Sequence, residues 1–113
     1  MPHAPSYYAA SAHPQPPRPA LVADVEAEVC VVGAGYTGLS TALHLAEAGR
    51  EVVVLEAEQV GWGASGRNGG QVIPGLKLDP EELVATYGPA LGERMAELAG
   101  GTADMLDRLT GDL

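Results

Sequence analysis

The stretch "GAGYTG" places Gly33, Gly35 and Gly38 within six positions, directly after an apolar run and directly before a helix-like one. A strand that packs into a helix normally fills the joint with side chains. A chain that gives them up there needs a tight turn, a close approach to its backbone, or close packing of the helix on the strand. The flanks say which elements meet. "EVCVV", residues 28–32, is short, apolar and rich in β-branched residues, as expected of a strand covered on both faces. Cys30 inside it reads as a buried thiol rather than a reactive one, and as the only cysteine it forms no internal disulfide. Residues 37–48 follow with Leu39, Ala42, Leu43 and Ala46 at helical spacing, and Gly49 stands where a helix C-cap needs positive φ. "EVVVL", residues 51–55, reads as a second buried strand, ending at Glu56. Strand, helix, strand in so short a span is a βαβ unit, which the right-handed crossover makes parallel. The fold class is therefore α/β, an incomplete doubly wound, Rossmann-like parallel sheet with helices after it.

At such a turn a dinucleotide pyrophosphate meets the free N–H groups and positive dipole of a helix N-terminus. Gly33 permits the turn, Gly35 the approach of the phosphates and Gly38 the packing of the helix, with Ala34, Tyr36 and Thr37 supplying the remaining backbone. Glu56, next to Ala57, would set a carboxylate against the adenosine ribose hydroxyls and repel a 2′-phosphate, which disfavours NADP. The plainer alternatives are a purely structural turn and a strand-end carboxylate facing water. NAD and FAD are not separated by this fingerprint. The loop "GWGASGRNGGQ", residues 61–71, separates them better: Gly63, Ala64, Ser65, Arg67, Asn68, Gly69 and Gly70 offer backbone amides and polar groups to a ligand that comes very close. A long cofactor reaching from Gly33 to this second loop suits FAD; read alone, the loop is a flexible turn.

Elsewhere the chain reads more simply. Residues 1–27 hold Pro2, Pro5, Pro14, Pro16, Pro17 and Pro19 and are expected to form an extended arm, on which Tyr7 and Tyr8 are the only bulky anchors. Residues 28–113 then form the N-terminal part of a nucleotide-binding domain. "LDPEELVATYG" places Asp79 as N-cap, Pro80 at the first helical position and Glu82 in a capping box, with a break at Gly88-Pro89. Leu91, Met95, Leu98, Met105, Leu106 and Leu109 follow in a helical pattern interrupted at Gly100-Gly101, and read as core. His3, His13 and His44 suit surface or packing roles rather than general-base catalysis, and no metal site is expected. A net charge of −9 with scattered basic residues excludes nucleic acid as a partner. No segment approaches the roughly 18–20 apolar residues that cross a bilayer, and the N-terminus lacks the order of a secretion signal, so a cytoplasmic location is expected.

The arm "SYYAAS", the βαβ run and above all "GWGASGRNGGQ" resemble the N-terminal part of the D-amino-acid-oxidase-like flavoproteins, in particular their gamma-glutamylputrescine oxidase branch, over residues 6–109. The resemblance implies a two-domain FAD enzyme that oxidises a C–N bond of a small amine and passes the electrons to oxygen, with an aldehyde and ammonia as products. It assigns Gly33, Gly35 and Gly38 to the pyrophosphate, Glu56 to the ribose, and Ser65, Arg67, Asn68, Gly69 and Gly70 to the phosphate-to-isoalloxazine portion. Some members attach the flavin through a histidine in this second loop. None stands here, so covalent attachment at the loop is not expected. A sarcosine-, glycine- or D-amino-acid-type oxidase or dehydrogenase is the alternative within the class, and a non-catalytic nucleotide-binding fragment the alternative outside it. Family members are several times longer, which puts catalytic residues and substrate pocket after Leu113. With only two strands and bare sheet edges the isolated chain is expected to fold poorly.

Overall fold

In the computed structural model, which describes residues 5–111, the chain runs α1 (Tyr7–Ser11), β1 (Val29–Val32), α2 (Tyr36–Glu47), β2 (Val52–Leu55), a 3₁₀ turn (Ala64–Gly66), α3 (Pro80–Tyr87), α4 (Pro89–Gly100) and α5 (Thr102–Gly111). It divides into two compact units between Gly69 and Gly70. No helix among the described residues is long and apolar enough to cross a membrane.

In the first unit β1 and β2 pair in parallel, Val29 opposite Val52 and Val32 opposite Leu55. The helix between them confirms the βαβ reading, with each strand starting one residue later than the apolar run. The ladder closes where Gly33 donates to the Leu55 carbonyl at 2.7 Å, so the glycine turn begins at the carboxyl ends of both strands. At the far end of α2 Gly49 adopts φ +76° and donates to Ala46, while Arg50 donates to Leu45, the paired bonds of a Schellman motif. Gly49 therefore does what its position foretold.

Three expectations change here. Cys30 and Val32 are exposed: α2 packs on the face of Val29 and Val31, while on the other face only Val53 of β2, opposite Cys30, is half-buried. β1 is thus covered on one side rather than two. The half-buried residues of α2 are Gly38, Ser40, Ala42 and Leu45; of the apolar stripe read from the sequence only Ala42 is half-buried, while Leu39, Leu43 and Ala46 lie exposed. Finally, the arm is not extended throughout. Residues 6–13 contain no proline, and there Ser6 caps α1 by accepting from the Ala9 amide at 3.1 Å, with Tyr7 and Tyr8 in edge-on contact at 6.0 Å. Pro2 and His3 lie outside the described residues.

The second unit is a helical hairpin with a further helix. Asp79 accepts from the Glu82 amide at 2.8 Å while Glu82 accepts from the Asp79 amide at 3.0 Å, the reciprocal capping box that the sequence predicts. Gly88, at φ +80°, ends α3 and starts α4, with Pro89 at the first position of the new helix. Among the described residues of this unit Leu83 and Ala99 are the buried apolar ones, and Gly75 ties the preceding strap to α4 through the Ala99 carbonyl at 2.9 Å. Leu91, Leu98 and Leu106, expected in the core, are 52%, 76% and 37% exposed, because packed helices cover only the faces that meet.

Candidate functional site

The residues singled out around the glycine turn converge on its backbone. Ala34, only 1% exposed, donates its amide to a Glu56 carboxylate oxygen at 2.7 Å and accepts at its carbonyl from the Gly61 amide at 2.9 Å. Tyr36, the first residue of α2, donates its amide to the Ser65 hydroxyl at 3.0 Å. The end of β2 and the second glycine-rich loop are thereby both tied to the first. Leu39 makes the first intrahelical bond, to Gly35 at 2.9 Å, so Thr37 and Gly38 present first-turn amides of the kind that a helix leaves for other partners.

The second loop is held by its own polar groups. The Asn68 amide donates to the carbonyls of Ser65 and Ala64 at 2.8 and 3.3 Å, and lies 3.5 Å from the Tyr36 hydroxyl. Arg67 stacks its guanidinium over Trp62, 4.3 Å from the ring centroid, and donates from Nε to the Trp62 carbonyl at 2.9 Å. The cation is pinned at its base and face, leaving its terminal N–H groups as donors. Gly63, Ala64 and Gly69 are exposed backbone in the same loop, Ala57 follows Glu56 at the exposed strand end, and Gly70, at φ +66°, opens the second unit.

The glycines divide by cause. Gly33, at φ +99°, has nothing within 4 Å of where a Cβ would stand, so it serves the turn and leaves open space beside the backbone. At Gly38 a Cβ would overlap the Gly33 carbonyl oxygen and lie 3.4 Å from Val31, so its smallness is demanded by the fold itself. Sequence reasoning missed Trp62 and Gly61; a lone tryptophan between two glycines in the loop was the available signal. His44 is exposed, its ring nitrogen 2.7 Å from the Ser40 carbonyl, and takes no part. The cleft in the second unit, about 330 Å³, is lined by apolar residues such as Leu76, Leu83 and Ala99. Its one ionisable side chain, Asp79, is engaged in the capping box.

The Glu56 carboxyl is shifted by the turn it meets. The amide of Ala34 above all, then that of Glu58, hold its carboxyl below the usual range; desolvation opposes them, and the Ala57 amide adds the smallest lowering. The group is therefore ionised at neutral pH. A depressed folded-state value gives a stabilising contribution that is complete above the ordinary glutamate pKa of about 4.3 and is lost as pH falls through the lower folded value. The Ala34 amide resonance is expected to titrate in that acid window, and E56Q to abolish the titration; an unchanged acid profile in E56Q would show that the contact does not couple to pH.

Comparison with known proteins adds to this geometry. The family model described as "FAD dependent oxidoreductase" matches residues 28–113, which contain the whole βαβ unit and both glycine-rich loops. The chain belongs to this family. Among FAD-dependent oxidoreductases and other curated proteins it is similar to the gamma-glutamylputrescine oxidoreductase of Escherichia coli K12, 56% identical over 86 residues, which is 76% of this chain and 20% of that protein. It is also similar to the probable oxidoreductases OrdL of Haemophilus influenzae, 42% identical over 105 residues (93% of this chain, 24% of the relative), and of Rhizobium meliloti, 36% over 94 residues (83% and 22%). The chain thus spans about a fifth to a quarter of these relatives' length. No solved structure matches. Family membership makes FAD the group against which the site is to be judged, and the residues present fit it: bare backbone at Gly33, first-turn amides at Thr37 and Gly38, and an ionised carboxylate at the end of β2.

Proposed function

We propose that the chain is the FAD-holding part of an oxidoreductase that oxidises the C–N bond of a small amine of the gamma-glutamylputrescine kind, with oxygen as electron acceptor. The observation that carries the reading is the convergence of Glu56, Gly61 and Ser65 on the backbone of the glycine turn. Thr37 and Gly38 donate backbone N–H groups to pyrophosphate oxygens, where the helix dipole adds to the attraction. Glu56 accepts from Ala34 at one oxygen and from Glu58 at the other, with the Ala57 amide as a weaker third donor, and the four lone-pair sites of the carboxylate still leave room for a ribose hydroxyl. Arg67, fixed on Trp62, supplies a planar donor pair suited to a phosphate oxygen. Asn68 is committed to holding the loop in shape. When bound, the flavin supplies the two-electron acceptor for C–N oxidation; the groups that would bind and deprotonate the amine are sought outside residues 33–69.

Titration of the full chain with FAD and with ADP, read by flavin fluorescence and calorimetry, is expected to give saturable binding of both. E56Q should weaken ADP binding by roughly tenfold, the scale of one charge-assisted hydrogen bond. Absence of saturable binding by either ligand, in chain whose Trp62 fluorescence shows a cooperative urea transition, overturns the reading. The substrate is tested on the protein that carries this stretch: peroxide release with gamma-glutamylputrescine supports the proposal. Release with sarcosine, glycine or a D-amino acid instead favours the oxidase of that type, and FAD binding without turnover on any of them a non-catalytic module.

A further inference from the structure

The backbone at Gly35 is extended, φ −85° and ψ −175°, a conformation open to any residue. Its conformation therefore does not explain why position 35 is glycine. What does occupy the space is a side chain from the second loop: a Cβ on Gly35 would stand 2.9 Å from the Ser65 hydroxyl oxygen and 3.9 Å from the Ser65 Cβ. That same hydroxyl accepts the Tyr36 amide at 3.0 Å, across a separation of 29 residues. Gly35 is the N-cap of α2 and has no side chain with which to cap, so the orphan first-turn donor is satisfied from a distant loop instead.

We infer that Ser65 is a positioning residue, a surrogate N-cap of α2 supplied by the second glycine-rich loop, and that the missing side chain at Gly35 leaves the room its hydroxyl occupies. The tie fixes the half-buried Ser65, and with it the Ala64–Gly66 turn and the Asn68 amide that grips the Ser65 carbonyl, against the start of α2. A hydroxyl has one proton and two lone pairs, so Ser65 accepts from Tyr36 and still has a proton to donate. Resting on the function proposed above, this makes the hydroxyl a relay between the helix start and an anionic ligand, and the loop is set in place before a ligand arrives.

The test uses the full chain and separates the tie from the ligand. Amide exchange at Tyr36, without ligand, is expected to speed up roughly fivefold in S65A, the size of a lost N-cap, and to return to the wild-type rate in S65T, which keeps the hydroxyl. G35A should displace the hydroxyl and produce a similar loss. G35A/S65A should then be no worse than G35A alone, since both remove one interaction. Unchanged Tyr36 exchange in S65A, or multiplicative effects of the two substitutions, overturns the inference. ADP titration provides the second readout: S65A weakens binding severalfold and S65T restores it. If Tyr36 exchange responds as expected while wild-type chain binds neither ADP nor FAD, the tie stands and the proposed function falls. Should ADP bind wild-type and S65A chains equally, the positioning role falls and Ser65 is a structural cap.

Discussion

G38A is expected to abolish the folded βαβ unit. Alanine normally gains about 1 kcal/mol over glycine inside a helix, so an ordinary exposed helical glycine is stabilised by the change. At Gly38 that gain is overwhelmed. The new Cβ would overlap the Gly33 carbonyl oxygen, stand 3.1 Å from the Gly33 carbonyl carbon and 3.4 Å from Val31 Cγ1. The obstacle is backbone, which has no rotamer by which to move aside. Overpacking in a core costs about 1–3 kcal/mol where side chains can shift, and a clash with fixed backbone exceeds that. Relief requires lifting α2 from β1, which also takes Gly33 away from Leu55 and Tyr36 away from Ser65. Trp62, the only tryptophan, lies in this unit against Arg67, and its fluorescence during urea unfolding should show no cooperative transition in G38A. The control is G100A, at the last residue of α4 with nothing within 4 Å of where the new methyl group would stand, which should leave the transition unchanged or stabilise the chain slightly. A G38A chain as stable as wild type would show that helix and strand are not in the close register described.

The contrast between Gly38 and Ser65 shows what a sequence displays and what it hides. Hydrogen bonds that close over three or four residues leave a local signature, and those were legible: the Asp79–Glu82 capping box, Pro80 at the helix start, the Gly88 break and the positive φ at Gly49. The parallel strand pair was legible too, since two β-branched runs around one helix leave few topologies. What depends on partners far along the chain was not. The Ser65–Tyr36 bond spans 29 residues and leaves no periodic trace. Gly61 donating to Ala34 is equally silent. Nor does an apolar pattern say which of its faces is covered: Cys30, Val32, Leu91 and Leu98 are apolar enough for a core and lie exposed, because coverage is decided by neighbouring elements rather than by the strand or helix itself. Around the glycine turn, Glu56 was singled out by its place after β2, but its first partner is the turn amide of Ala34, a contact that spacing alone does not foretell.

In the second unit, G92A is expected to separate α3 from α4. A Cβ at position 92 would stand 2.5 Å from Val84 Cα, 2.6 Å from the Val84 nitrogen and 2.7 Å from the Leu83 carbonyl carbon. All three are backbone atoms of the facing helix, so the two axes would have to move apart by roughly an ångström to restore ordinary contact distances. That movement uncovers Leu83, which is 2% exposed and is the largest residue sealed between these helices. Removing a leucine from such a contact costs about 2–5 kcal/mol, well above the roughly 1 kcal/mol that alanine gains in helix propensity. The strap before α3 should loosen in step, because Gly75 bonds to Ala99 on α4. Hydrogen exchange at the Gly75 amide is therefore the measurement: protection lost in G92A and retained in G100A fits a hairpin held by close backbone approach. Protection retained in both would mean that α3 and α4 are held by their side chains, and that Gly92 marks a clearance rather than a contact.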